Sequence, residues 1–297
     1  MSAQVAGLPP LWLAPGAVTD PRALARFVDL SGVPLVSGPV EASSRGTATG
    51  RTPVHALGVG GLSHADAPAV SVAAAEDLLR WASARGLGCA LSVRGRTTGE
   101  LASVVERVRR GVDADALVAV EVDLRTADEQ TVLKSMARVR EAAPRDLPLL
   151  ARLAVSGTDL VARARSAVAG GASAVVVCGQ VPLGPGRWWS GPSTAEHTLT
   201  GVRLLAEALV DQRWPGAALI ASGGVHDPAS ATRAVRAGAT GVQVGTALWA
   251  DPTLLDRVRE ATWHALSAHG TGPVPRTTIP TGDPHGGDGR DRADGRG

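Results

Sequence analysis

"ASGGVHDPAS", Ala221 to Ser230, and "GVQVGTALW", Gly241 to Trp249, decide the fold of this chain. In the first, an apolar run from Ala217 to Ala221 passes through Ser222 into Gly223-Gly224, and Asp227-Pro228 then opens a helical pattern. In the second, the run stops on Gly245 and Thr246. A strand that empties into bare backbone facing a helix start is a unit of parallel α/β structure, and two in succession raise the question of what the turns hold.

Working outward, the same unit recurs along the chain. Apolar runs expected as strands are Leu11 to Ala14, Pro34 to Ser37, Cys89 to Val93, Leu117 to Asp123, Leu149 to Ala154, Ala174 to Cys178, Ala218 to Ser222 and Gly241 to Gly245. Each precedes a stretch with apolar residues at helical spacing: Pro21 to Leu30, Ala73 to Arg85, Thr98 to Arg109, Ala127 to Ala143, Asp159 to Ala169, Thr194 to Leu209, Pro228 to Ala237 and Pro252 to Ser267. Thr97 with Glu100 and Thr126 with Glu129 fit capping boxes, and Asp227-Pro228 and Asp251-Pro252 place a cap before a first-turn proline. Eight strand-helix units imply an α/β protein closed into a (β/α)8 TIM barrel. Residues 1–269 are expected to form this single domain. The connection Gly38 to Val72 is expected as a long loop after strand two, and residues 270–297, rich in Gly, Pro, Asp and Arg, as a disordered tail in which His285 is solvated.

Composition excludes several function classes. With 297 residues, 44% apolar, the chain can bury a large core. The formal charge is only +2 and the arginines are scattered along helices, so no nucleic-acid footprint is expected. No run approaches the roughly 18 apolar residues of a membrane span, and no basic start precedes a hydrophobic segment, which points to a cytoplasmic protein. Cys89 and Cys178 lie inside strand-like runs and read as buried thiols. No His, Cys or Asp cluster has metal spacing. Tyr is absent and Lys134 is the single lysine, in a helical segment, so Schiff-base chemistry on a strand is excluded.

In barrels of this kind the turns after the last two strands commonly hold phosphate, because glycine lets backbone N–H groups approach an anion. A glycine at one such turn reads as relief of crowding. Glycines at both, Gly223-Gly224 and Gly245-Thr246, read as a phosphate site.

"LIASGGVHDPASATRAVRAGATGVQVGTALW" together with "RWWSGPSTAEHTLTGVRLL" resembles the C-terminal half of dihydroorotate dehydrogenases, barrels that bind flavin mononucleotide (FMN). Ser190-Gly191-Pro192, Gly223-Gly224 and Gly245-Thr246 carry the resemblance, which extends from about Leu147 to Val258. It implies FMN as cofactor, with Gly191, Gly223, Gly224, Gly245 and Thr246 binding it. It also places Arg152, in "LLARLAV", where the family has a lysine beside the flavin, in a cofactor-binding and catalytic role. The other reading of Arg152 is an ion pair inside the barrel mouth. Thr126 falls on the family's proton acceptor, where a hydroxyl is a poor base unaided, and its better reading is a helix N-cap with Glu129 completing the box. Trp188-Trp189 either cover the flavin or pack beside the rim.

The substrate half departs from the family. Where it has a second lysine and several asparagines, this chain has Ser37, Gly58 and His64, Asp123 and Asp128, and Cys178 with Gly179. His64, Asp123 and Cys178 are the substrate-binding candidates. Four lost amides at about 1 kcal/mol each would weaken dihydroorotate binding roughly a thousandfold. Carboxylates in their place would repel a substrate carboxylate.

The function expected is that of an FMN-dependent oxidoreductase resembling dihydroorotate dehydrogenase, passing hydride from dihydroorotate or a related small substrate to FMN in pyrimidine biosynthesis-type chemistry. The electron acceptor is left open, and the resemblance allows a homodimer. The alternatives are a sugar-phosphate lyase or isomerase using Asp123 and Glu121 on the same phosphate loops, and a barrel that binds a phosphate ligand without catalysis.

Overall fold

The structure is a computed structural model, described here for residues 8–17, 21–44, 54–57, 60–111, 116–155, 159–211 and 217–269. Its strands, in chain order, are β1 (Leu11–Leu13), β2 (Leu35–Val36), β3 (Val54–Leu57), β4 (Gly61–Ala65), β5 (Cys89–Val93), β6 (Leu117–Asp123), β7 (Leu149–Ala154), β8 (Ala174–Cys178), β9 (Val181–Gly184), β10 (Arg187–Ser190), β11 (Ala218–Ser222) and β12 (Gly241–Val244). The helices are α1 (Pro21–Leu24), α2 (Val72–Ser83), α3 (Thr98–Gly111), α4 (Glu129–Ala142), α5 (Leu160–Ala169), α6 (Ala195–Asp211), α7 (Pro228–Arg236) and α8 (Leu254–Ala268).

Eight parallel strands run in the order β1-β12-β11-β8-β7-β6-β5-β2, and the amide of Leu13 donates to the carbonyl of Pro34 at 3.2 Å where the two ends meet. The sheet is thus a nearly closed TIM barrel with its helices outside. The eight strands stand where the apolar runs put them, because strands buried on both faces need uninterrupted apolar sequence. Helix α1 is shorter than expected, a single turn ending at Leu24.

Along each barrel strand the inward residues alternate, and they stack in two layers of different character. The lower layer is apolar: Trp12, Val36, Ala90, Ala119, Leu150, Val176 and Ile220 form one cluster. Two residues further along β5, β6, β7 and β11 the upper layer turns polar, with Ser92, Glu121, Arg152 and Ser222 buried and Gln243 of β12 buried beside them. The chain therefore seals the barrel floor and reserves its C-terminal mouth for hydrogen bonding.

The long connection after β2 corrects the expectation of a loop. Its β3 and β4 form an antiparallel hairpin that joins a second hairpin, β9 and β10, in a four-stranded sheet of order β3-β4-β10-β9. His64 faces Trp188 in the β4–β10 register, so two insertions far apart in sequence make one wall beside the barrel mouth. The tail expected beyond residue 269, with His285, lies outside the described residues, as does Gly58.

The caps hold in two of the expected places. Thr97 Oγ1 accepts from the amide of Glu100 at 3.2 Å, and Asp227 with Ser230 forms a complete capping box on α7. Helix α4 is capped instead by Asp128, whose carboxylate accepts from the amide of Thr131 at 2.7 Å, so Thr126 is not the cap. At α8 the N-cap is Thr253, and Asp251 accepts from its amide and hydroxyl.

Candidate functional site

The strand ends and the second sheet enclose a cavity of about 360 Å³. One end is built from backbone. Gly223 has φ +124° and Gly224 φ +71°, conformations that glycine adopts freely. A Cβ on Gly224 would fall on the backbone of Ala195, where α6 begins, and one on Gly191 would meet the carbonyl of Gly60. None of the amides of Gly223, Gly224, Val225, Gly245 and Thr246 donates a hydrogen bond to another described residue, whereas the next two, His226 and Asp227, both donate to Ser230 Oγ, at 3.0 and 3.1 Å. The unspent donors are concentrated at the cavity wall, an arrangement suited to an anion such as the FMN phosphate.

At the centre of the mouth lies Arg152, 6% exposed. Its Nη1 donates to Gln243 Oε1 at 2.9 Å and Ser222 Oγ at 3.2 Å and stands 3.5 Å from Glu121 Oε1; its Nη2 reaches Cys178 Sγ at 3.3 Å. Gln243 Nε2 donates to the other oxygen of Glu121 at 2.6 Å. Burial pushes the Glu121 carboxyl upward, and the Arg152 charge and the Gln243 hydrogen bond oppose it.

The far side carries a second polar group. Arg125 is held through Nη2 to Asp123 Oδ2 at 2.7 Å and Asp66 Oδ1 at 2.9 Å, and through Nη1 to Gln180 Oε1 at 3.0 Å. Its guanidinium lies 4.1 Å from the ring centre of Trp188, so that tryptophan packs beside the rim, while Trp189 donates to Ser193 Oγ at 2.9 Å. Burial raises the Asp123 carboxyl, but the charge and hydrogen bonds of Arg125 outweigh this and hold it at about 2. The β6–α4 turn that presents Arg125 is clamped by Arg163, a buried α5 side chain that donates to the carbonyls of Arg125, Ala127 and Ala154.

His64 and Ser190 meet across the second sheet. His64 Nδ1 lies 2.7 Å from the carbonyl of Ala65 and must donate there, which leaves Nε2 to accept from Ser190 Oγ at 2.9 Å. Burial lowers the His64 pKa, favouring the neutral ring.

Of the residues singled out in the sequence, the cavity gathers His64, Asp123, Arg152, Gly191, Gly223, Gly224, Gly245 and Thr246. Thr126 is exposed on the α4 side of its turn and does not line it. Cys178 is fully buried beneath the lining, and Asp128 is an exposed cap. Ser37 lines the wall with its hydroxyl accepting from the amide of Ser92 at 2.9 Å. Sequence reasoning missed Asp66, Arg94, Arg125, Gln180 and Gln243. Among the described residues no group of three or more His, Cys, Asp or Glu could hold a metal, and no helix is long and apolar enough to cross a membrane.

The fold and cavity define a TIM barrel with an antiparallel cap, open at the C-terminal ends of its strands. No protein-family model and no curated protein sequence matches the chain. Among solved structures, the chain is similar to the crystal structure of DHODH from Eimeria tenella in complex with ferulenol. The match has a TM-score of 0.69 at 16% identity and covers 89% of this chain and 83% of that one. The fold is therefore like that of this dihydroorotate dehydrogenase, at low sequence identity.

Proposed function

We propose that this chain is an FMN-dependent oxidoreductase that removes hydride from a small organic substrate. The observation that carries the reading is the juxtaposition, in one cavity, of unspent amides on Gly223, Gly224, Gly245 and Thr246 with a buried arginine in the middle of the barrel mouth. When bound, FMN supplies the two-electron acceptor that no side chain of this protein offers. The glycine amides would hold its phosphate, and a Cβ at Gly191 or Gly224 would strike the backbone that shapes this end of the cavity, at Gly60 and Ala195. Arg152 keeps a fixed positive charge at the mouth, where negative charge develops as the acceptor is reduced.

Substrate oxidation also releases a proton. Thr126, the residue in the family's acceptor position, lies outside the cavity, and Asp123 and Asp66 are ion-paired with Arg125. Neutral His64, with Nε2 turned to the Ser190 hydroxyl on the cavity wall, is the group suited to take it. A second acceptor, outside this chain, then restores the oxidised state. The reading is tested by whether the purified protein carries or takes up FMN, and whether a bound flavin is bleached anaerobically by candidate substrates, beginning with dihydroorotate. The exposed position of Thr126 is the observation that favours a second reading, a barrel that keeps its ligand without turnover. Flavin retained but reduced by no substrate would support it.

A further inference from the structure

The far side of the cavity is threaded by a continuous run of alternating charges. Glu41 pairs with Arg94 at 2.6 Å, Arg94 approaches Asp66 at 3.9 Å, Asp66 pairs with Arg125 at 2.9 Å, and Arg125 with Asp123 at 2.7 Å. Three carboxylates enclose two guanidiniums, so each cation on this side is already matched and the run carries one negative charge in excess. The repulsion expected of Asp123 alone is cancelled by Arg125; the excess sits instead on the run as a whole. Of the other two arginines lining the cavity, Arg152 faces Glu121 in the same way and Arg22 pairs with Asp77. A ligand carboxylate entering here would lose its water and find every arginine of the lining already paired.

The unspent hydrogen-bonding capacity is of another kind. Both Asp66 and Gln180 are bound to the Arg125 guanidinium through one oxygen each. Asp66 Oδ2 remains an acceptor, and Gln180 Nε2 a donor whose nearest partner is His64 Nε2 at 3.5 Å, too long for a firm bond. An acceptor and a donor flanking one guanidinium match the N–H and C=O of an amide edge.

Resting on the FMN reading above, we propose that the substrate of this site is an uncharged cyclic amide or imide, read by Asp66 and Gln180, and that carboxylate-bearing rings are turned away. The matched probes are uracil and orotate, which share a ring and differ by one carboxylate. Each is titrated into FMN-loaded protein and followed by the flavin difference spectrum and by calorimetry, with flavin content measured on the same sample. Uracil is expected to bind at least tenfold more tightly than orotate, and Asp66→Asn, which removes the excess charge, to narrow that gap by weakening uracil and strengthening orotate. Orotate binding as tightly as uracil or more tightly, binding of neither probe, or a gap unchanged in Asp66→Asn overturns the proposal. A protein that holds no FMN fails the flavin reading instead, and the two failures are told apart by the flavin content.

Discussion

Arg152 and Glu121 meet in the barrel mouth at 3.5 Å, and neither side chain is reached by solvent to more than a few per cent. The pair sits on inward positions of adjacent strands, β6 and β7, directly above the apolar floor formed by Ala119 and Leu150. Its charges are held by Gln243 and Ser222 from the opposite wall, which ties both sides of the barrel into one polar layer.

Breaking this pair is expected to be costly. Arg152→Met leaves Glu121 buried without a cation, a loss of about 3–5 kcal/mol of stability at neutral pH. The sign with pH follows from the raised Glu121 carboxyl: below its ordinary 4.5 it is protonated in folded and unfolded forms of both proteins, so the deficit is smallest there, and it opens only above the raised native value, where the native carboxylate has Arg152 beside it and the variant's does not. Denaturant unfolding of native and variant protein across this range measures it, and adding Glu121→Gln should recover part of the loss.

Asp123 behaves in the opposite sense. Its carboxyl is lowered from 3.8 to about 2, so its contribution is complete above 3.8 and disappears as pH falls through 2. That shift corresponds to about 2 kcal/mol. The stability difference between native protein and Asp123→Asn should shrink progressively below pH 3.8, and a difference that stays constant there contradicts the ion pair with Arg125.

Gly224→Ala places a Cβ against the Ala195 backbone in a residue with φ +71°. Strain and overpacking together should cost about 2–4 kcal/mol and abolish FMN retention. Gly86→Ala, at φ +64° with open space around it, should cost only about 1 kcal/mol and leave ligand binding untouched.

Both cysteines are fully buried, and burial pushes the Cys89 thiol up to about 12. Neither should react with a thiol reagent in the native protein, and both should do so after unfolding. Rapid native labelling would show that the strand interiors open.

The barrel was legible because its strands are uninterrupted apolar runs, and the glycine turns that line the cavity because Gly223-Gly224 and Gly245 stand where the last two runs stop. The cap sheet was not. All four residues of β3 are exposed, β9 is exposed at Pro182, Leu183 and Gly184, and neither hairpin shows the alternation that marks a half-buried strand. Arg125 was passed over in favour of its neighbour Thr126, since only the folded turn reveals which of the two points inward. A signal for the buried layer was nonetheless present. Glu121 in "AVEVD", Arg152 in "LLARLAV" and Gln243 in "GVQVG" are single polar residues set among apolar ones, and a strand tolerates such a residue only where partners await it. The His64–Ser190 contact joins residues 126 positions apart and had no local trace.

The most direct test of the account is the near-ultraviolet and visible absorbance spectrum of the purified protein, with the released chromophore identified by mass. A flavin spectrum is expected, from FMN present in amounts comparable to the chain or taken up when added. A colourless protein that fails to bind added FMN would contradict it.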